Sequence, residues 1–282
     1  MTPACVACLS LTLLLYLAAA VLFAGHLLLR RTGWDRWGRR ALVAGLGLNT
    51  AGMVLHFAFA HRAPIASLLP VISLLVIGTL AAGLVAERYL RIRHLGLFLA
   101  LLAFVALLYP MLMPVRVEAA SSVLVRYPWL GLHVALSLLG HVGFAVAFCS
   151  AVVYLLQASQ LKRGRLNRFL PPLDRSASTA YVAAAAGFAA FTLGLLMGVV
   201  WLFGAPGELL GKGDLKILMS LPTWVCFALY LYLRGVRGQH GSRLKWLVIA
   251  GFVLGAANLM GVRHDFDAGA IDRSAAAPAL RP

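Results

Sequence analysis

Long apolar runs separated by short polar segments dominate the chain from end to end. A helix that crosses a bilayer needs about 20 mostly apolar residues, and these runs reach that length. They lie near residues 8–29, 41–61, 66–86, 94–113, 129–157, 179–203, 214–233 and 245–262. The pattern predicts an all-α, polytopic membrane protein, a bundle of about eight transmembrane helices. We expect a single transmembrane domain over residues 1–266 and a disordered outer tail over residues 267–282.

Composition and charge support a membrane protein and argue against a nucleic-acid-binding protein. Apolar residues make up 62% of the chain and charged residues 12%, and the mean hydropathy is +0.89, which is not typical of a soluble protein. The net charge of +16 comes mostly from basic segments that follow the first, third, fifth and seventh runs. Because basic residues collect in short cytoplasmic loops, the charge reflects topology. Both termini are expected outside the cytoplasm, and nucleic acid is not expected as a partner.

Two histidines share one stripe of the fifth predicted helix. His133, Ser137 and His141 follow at intervals of four residues, which places them on one helical face. The rest of this helix is mainly Leu, Val, Ala and Phe, and an ionisable imidazole in an apolar span is costly unless it has a partner. The stripe predicts a metal or haem site shared with other helices. His133 would lie near the outer face and His141 about 12 Å deeper.

The predicted topology places four histidines on the outer side: His56, His61, His133 and His264. Imidazole is a common ligand of haem iron and of divalent metals, whereas carboxylates, which hard cations prefer, are nearly absent from the apolar runs. Outer arginines could pair with haem propionates; they are Arg62, Arg116, Arg126 and Arg263. For each histidine alone, a structural role in helix packing is the alternative.

The other three histidines are expected to lie at the inner membrane surface. His26, His94 and His240 fall at or beyond the predicted inner ends. An imidazole there can reach water or the headgroup region. These three are expected to be exposed or snorkelling.

The sixth predicted helix contains Gly194-x-x-x-Gly198. Two glycines at this spacing let another helix approach closely, so this face is predicted to be a packing face. The glycine-rich segment that follows, 201–214, lacks the lysine and hydroxyl ending of a phosphate-binding loop. A nucleotide site of that type is therefore excluded.

Several motifs in a fixed order resemble the cytochrome c assembly family, whose members are polytopic haem-handling proteins of the CcsA, CcmC and HemX type. The motifs are Leu132-His133-Val-Ala-Leu-Ser-Leu-Leu-Gly140, Ala151-Val-Val-Tyr-Leu-Leu-Gln157, Phe169-Leu-Pro-Pro-Leu-Asp174, Thr192-Leu-Gly194 with Gly198, and Asp214-Leu-Lys216 with Ser220 and Thr223-Trp224. The resemblance covers about residues 125–266. The layout of eight helices suits the HemX-like branch.

The resemblance implies haem b held at the outer membrane face between two histidines that flank a tryptophan-rich loop. These histidines fall on His133 and His264, which would be the axial ligands of the iron. His56 resembles a histidine on the second helix of HemX-like members. The loop is reduced, because only Trp201 and Asp214 remain of the family's several tryptophans and its Trp-Asp pair, with twelve residues between them.

The expected function is haem handling in cytochrome c assembly, in the bacterial cytoplasmic membrane. Other maturation proteins or an apocytochrome are the expected partners beside haem and lipid. The sequence shows no nucleophile–base pair and no carboxylate pair, so no catalysis by the protein itself is expected. The alternative is a non-haem, HemX-like scaffold or regulator of a partner in tetrapyrrole synthesis or cytochrome maturation, which the reduced tryptophan loop favours. A transporter is less favoured, because no inverted repeat is evident.

Overall fold

The computed structural model describes residues 3–29, 31–60, 68–89, 95–112, 128–164, 172–204 and 215–261. Within these ranges the chain forms eight α-helices and no strand. The helices are α1 (Pro3–Leu29), α2 (Trp34–Ala60), α3 (Leu68–Tyr89), α4 (Gly96–Leu112), α5 (Pro128–Lys162), α6 (Leu173–Gly204), α7 (Leu215–Leu231) and α8 (Ser242–Gly261), with a π-helical turn at Tyr232–Val236.

The fold predicted from the apolar runs is confirmed. Each helix coincides with one of the eight runs, and six helices are long and apolar enough to cross a membrane. Large apolar side chains such as Leu14, Leu193 and Val253 are exposed on the helix surfaces. Such exposure suits contact with lipid rather than with water. The protein is a multi-pass membrane bundle.

Helices α5 and α6 extend beyond the apolar runs that predicted them. The runs stop at residue 157 and resume at residue 179, whereas α5 continues to Lys162 and α6 begins at Leu173. The carbonyl of Pro172 accepts hydrogen bonds from the N–H groups of Arg175 and Ser176. Pro172 therefore marks the start of α6, where a residue without an N–H group leaves no donor unsatisfied.

Consecutive helices pack antiparallel, as the contacts between α1 and α2 show. A Cβ added at Gly45 would lie 2.7 Å from the ring of Tyr16, and one added at Gly38 would lie 3.1 Å from the ring of Phe23. Residue numbers therefore rise along one helix as they fall along the other. Helices α1–α4 share an apolar core that also includes part of α5.

Helices α5–α8 surround a second core. Phe144 of α5 stacks on Phe227 of α7 with ring centroids 3.6 Å apart, and Phe191 of α6 meets Phe144 edge-on at 5.4 Å. The α5–α6 interface is the most extensive one in the described part of the chain. A Cβ added at Gly143 would lie 2.5 Å from the Cα of Gly187. This close approach brings the polar residues of α5 against the backbone of α6.

The alternating directions sort the helix ends into two groups. The basic end is where α1, α3, α5 and α7 end and where α2, α4, α6 and α8 begin. The opposite end carries His56 near the end of α2 and His133 near the start of α5. We call it the histidine end.

Polar contacts connect helices at both ends of the bundle. At the basic end, Glu87 Oε2 accepts a hydrogen bond from Arg39 Nη2 at 2.7 Å, and its Oε1 accepts one from the N–H of Gly96 at 3.1 Å. The side chain of Glu87 is 5% exposed and that of Arg39 is 53% exposed. At the histidine end, the Tyr109 hydroxyl of α4 donates to the carbonyl of Met260 in α8 at 3.3 Å. The first contact joins α2, α3 and α4, and the second joins the two halves of the bundle.

His26 differs from its expected exposure. It is 7% exposed, and its Nδ1 donates a hydrogen bond to the carbonyl of Arg31 at 2.8 Å. The ring thus satisfies a carbonyl just beyond the end of α1, a place where backbone acceptors lack helical partners. Among the others, His240 is exposed as expected, and His94 lies outside the described residues.

Candidate functional site

His133 lies in the second turn of α5, with its ring against α6. Its Nδ1 donates a hydrogen bond to the carbonyl oxygen of Gly194 at 2.6 Å. A carbonyl oxygen can only accept, so the proton is on Nδ1 and the lone pair of the neutral ring is on Nε2. Metal-bound histidines use the same arrangement, in which one ring nitrogen is held by an acceptor and the other binds the ion.

Two glycines of α6 make room for this ring. A Cβ added at Gly198 would lie 2.8 Å from Cε1 and 2.9 Å from Nδ1 of His133. A Cβ added at Gly194 would lie 2.7 Å from the hydroxyl oxygen of Ser137. The packing role predicted for Gly194-x-x-x-Gly198 is confirmed, and the surface that it packs against is the stripe of α5 that carries His133 and Ser137. We call this arrangement the His133 seat.

His141 lies two turns deeper and contacts both α6 and α8. It is 8% exposed, and its Nδ1 donates to the carbonyl of Ser137 at 2.8 Å. Its ring meets the ring of Phe191 edge-on, with centroids 5.3 Å apart. Its Nε2 lies 3.4 Å from the position of a Cβ at Gly255 of α8. The stripe is therefore divided: His133 and Ser137 face α6, whereas His141 sits between α6 and α8.

A polar contact between α6 and α7 lies in the same half of the bundle, and helical periodicity did not predict it. Trp224 Nε1 donates to Thr192 Oγ1 at 3.0 Å, and the Trp224 ring packs against Phe188 with centroids 5.3 Å apart. Thr223 is fully buried, with its methyl 3.2 Å from the Cβ position at Gly255. Thr192 and Trp224 belong to two separate motifs of the resemblance, which did not indicate that the two residues meet.

Two of the other predicted site residues lie within the described ranges. His56 is half-buried near the end of α2, whose main neighbour is α1, so it belongs to the other half of the bundle from His133. The backbone of Trp201 lies in α6, one turn beyond Gly198. The remaining residues lie outside the described ranges; they are Arg126, Asp214, Arg263 and His264, together with His61, Arg62 and Arg116. Within the described ranges, no cluster of three His, Cys, Asp or Glu side chains could hold a metal ion.

Most of the sequence, from α3 to α8, corresponds to a known family. The sequence model of the family described as cytochrome C assembly protein matches residues 65–265, which is more than half of the chain. The chain belongs to the cytochrome c assembly protein family. The resemblance identified from the motifs is thereby confirmed, and the matched region includes the His133 seat.

Individual relatives cover the chain in part. The cytochrome c biogenesis protein CcsA of Chlamydomonas reinhardtii is 24% identical over 144 residues, which are 50% of this chain and 40% of the relative. Protein HemX of Bacillus subtilis (strain 168) is 26% identical over 165 residues, which are 57% of this chain and 59% of the relative. The chain thus spans about half the length of these curated relatives.

A solved structure shows the same fold. The cytochrome c heme lyase CcmF superposes with a TM-score of 0.69 and a sequence identity of 19%. The superposition covers 94% of this chain and 48% of that chain. The two proteins therefore share a helical architecture.

Proposed function

We propose that this protein handles haem during cytochrome c assembly, and that it binds haem b at the histidine end through Nε2 of His133. The observation that carries the proposal is the His133 seat, in which the Gly194 carbonyl holds the Nδ1 proton and leaves the lone pair on Nε2. The lone pair on Nε2 is chemically suited to bind haem iron, of which neutral imidazole is a common ligand. Membership of the cytochrome c assembly family supports haem as the cargo.

His264 is proposed as the second histidine that would hold the haem iron, and the reach of the chain beyond the end of α8 permits it. Helix α8 passes the level of His141 at Gly255 and continues to Gly261, about 9 Å further toward the histidine end. His133 lies about 12 Å from His141 in the same direction. Three residues span at most about 10 Å, so residue 264 can reach the level of His133.

Four further side chains and His56 are proposed to surround the bound haem. Arg126 comes two residues before α5 and Arg263 two residues after α8; both would hold the propionates through charge-assisted hydrogen bonds. Trp201 near the end of α6 and Asp214 just before α7 would border the face of the ring. His56 would contribute a further imidazole from α2. In this proposal the histidine end and both termini face outward from the bacterial cytoplasmic membrane, where an apocytochrome or another maturation protein receives the haem.

Optical spectroscopy of the purified protein tests this function. In mild detergent, the protein as isolated or after addition of haemin should show a Soret band, which should collapse in the double variant His133→Ala, His264→Ala. His240→Ala is the matched control, because His240 is an exposed histidine at the basic end and its loss should leave the band unchanged. A colourless preparation that also ignores added haemin would overturn the proposal.

A non-haem scaffold is the second candidate function. The single tryptophan in the segment 201–214 favours it, because the family's haem-presenting loop contains several. In this case a soluble partner from tetrapyrrole synthesis or cytochrome maturation would bind the basic segment between α5 and α6. A pull-down with the intact protein, compared with a variant in which Lys162, Arg163 and Arg175 are replaced by glutamine, would detect it.

A further inference from the structure

The basic end contains a cavity of about 940 Å³ that the proposed haem function does not use. It lies between the end of α5, the start of α6, the π-helical turn and the start of α8. Its volume is within the range of small-molecule binding sites. Because it lies at the opposite end of the bundle from His133, any ligand there would be separate from the haem cargo.

Two cationic side chains line this cavity. Lys162 of α5 and Arg243 of α8 line it together with His240, and both long side chains are exposed and able to turn toward a ligand. Helix α8 begins at Ser242, also in the lining, so its positive dipole end points at the same space. No acidic side chain of the described residues lines the cavity. An anion is the complementary ligand.

A buried lysine lies directly behind this cavity. Lys245 is 2% exposed, and its Nζ lies 3.3 Å from the hydroxyl oxygen of Tyr230 and over the rings of Tyr154 and Tyr230. Tyr154 also lines the cavity. The aromatic faces stabilise the ammonium group, but they do not neutralise its charge. Lys245 therefore adds a further basic group behind the two cations of the rim.

Apolar side chains form another part of the lining. Leu161, Leu173, Leu244 and Leu247 line it. A small hydrated anion would need none of these residues, whereas a molecule with a charged head and a hydrocarbon portion would cover them and gain from their burial. A lining that contains both cations and several leucines indicates an amphiphile.

We propose that this cavity binds the headgroup of an anionic phospholipid. Lys162, Arg243 and the first N–H groups of α8 bind the phosphate, and the leucines pack against the glycerol and the first methylenes of the acyl chains. Tyr154 forms the boundary between the two environments. The site would hold one lipid between α5, α6 and α8 at the membrane surface.

Native mass spectrometry of the protein in detergent tests the site, with dioleoyl phosphatidylglycerol as the probe and dioleoyl phosphatidylcholine as the neutral comparison. The double variant Lys162→Gln, Arg243→Gln should bind the first phosphatidylglycerol at least about tenfold more weakly, because two charge-assisted contacts to phosphate are lost. The matched control is Arg36→Gln, Arg88→Gln, which removes the same charge from exposed side chains of α2 and α3 at the same end. This control should bind the lipid like the unmodified protein.

Three outcomes would overturn the proposal. Equal loss in both double variants would mean that only the general positive charge of this surface attracts lipid. Equal binding of phosphatidylglycerol and phosphatidylcholine would mean that the site does not distinguish an anionic lipid from a neutral one. Displacement of the lipid by millimolar inorganic phosphate or glycerol phosphate would show that the site serves a soluble phosphate compound.

Discussion

The replacement Gly198→Ala tests the His133 seat without removing the histidine. The added methyl would lie 2.8 Å from Cε1 and 2.9 Å from Nδ1 of His133, whereas atoms in favourable contact are about 3.5–4.0 Å apart. The imidazole therefore has to move by roughly 0.5–1 Å or rotate. Either movement strains or breaks its hydrogen bond to the Gly194 carbonyl, which is 2.6 Å long.

The expected loss of haem affinity can be estimated from these two changes. A typical hydrogen bond contributes about 0.5–1.5 kcal/mol net, and a side chain forced about 30° from its preferred rotamer costs about 0.5–1.5 kcal/mol. Together they amount to about 1–3 kcal/mol, which corresponds to a roughly 5- to 150-fold weaker binding of haem. The loss should be smaller than in His133→Ala, which removes the ligand itself.

A haemin titration followed at the Soret band measures this effect, and the melting temperature of each variant reports on folding. Gly47→Ala is the matched control, because nothing lies within 4 Å of its added methyl and it receives the same gain in helix propensity. Unchanged haemin affinity in Gly198→Ala, together with loss of binding in His133→Ala, would refute the idea that this glycine positions the ring.

The remaining predictions concern stability, measured by reversible unfolding in mixed detergent micelles. Gly143→Val should destabilise the protein by more than about 2 kcal/mol, because its side chain would meet the backbone of α6; a neutral effect would show that the two helices can separate easily. Arg39→Gln should cost more than Glu87→Gln, because it leaves a carboxylate that is 5% exposed without its cation, whereas the guanidinium, 53% exposed, can be hydrated; the reverse order would contradict this account. Thr192→Val should cost about 0.6–1.7 kcal/mol through loss of the bond from Trp224, and an unchanged stability would show that this bond contributes nothing.

The helices were predictable because each transmembrane helix has to form all of its backbone hydrogen bonds internally and present apolar side chains to lipid. For this reason the eight runs located α1–α8, although the polar turns at the end of α5 and the start of α6 carry no apolar signal. Pro172 marks the start of α6 in the sequence, but the additional turns before residue 179 depend on capping and surface contacts that hydropathy does not detect.

The candidate site was predictable in part. Periodicity predicted that His133 and Ser137 share a face and that Gly194 and Gly198 form a packing surface. It could not predict that these two faces meet, because the partner of a helix face depends on the packing of the whole bundle. The burial of His26 was not predictable either. The carbonyl that accepts its hydrogen bond belongs to Arg31 and comes within reach only where the chain turns after α1.

The hydrogen bond between Tyr109 and Met260 has a consequence for how the chain is made. Its two residues are 151 positions apart, and a ribosome delivers the amino-terminal helices to the membrane first. The hydroxyl of Tyr109 therefore has no access to this acceptor until the segment that contains Met260 has been translated. A nascent chain that stops before α8 leaves α4 without this attachment, so the contact between α4 and α8 is a late step of biogenesis.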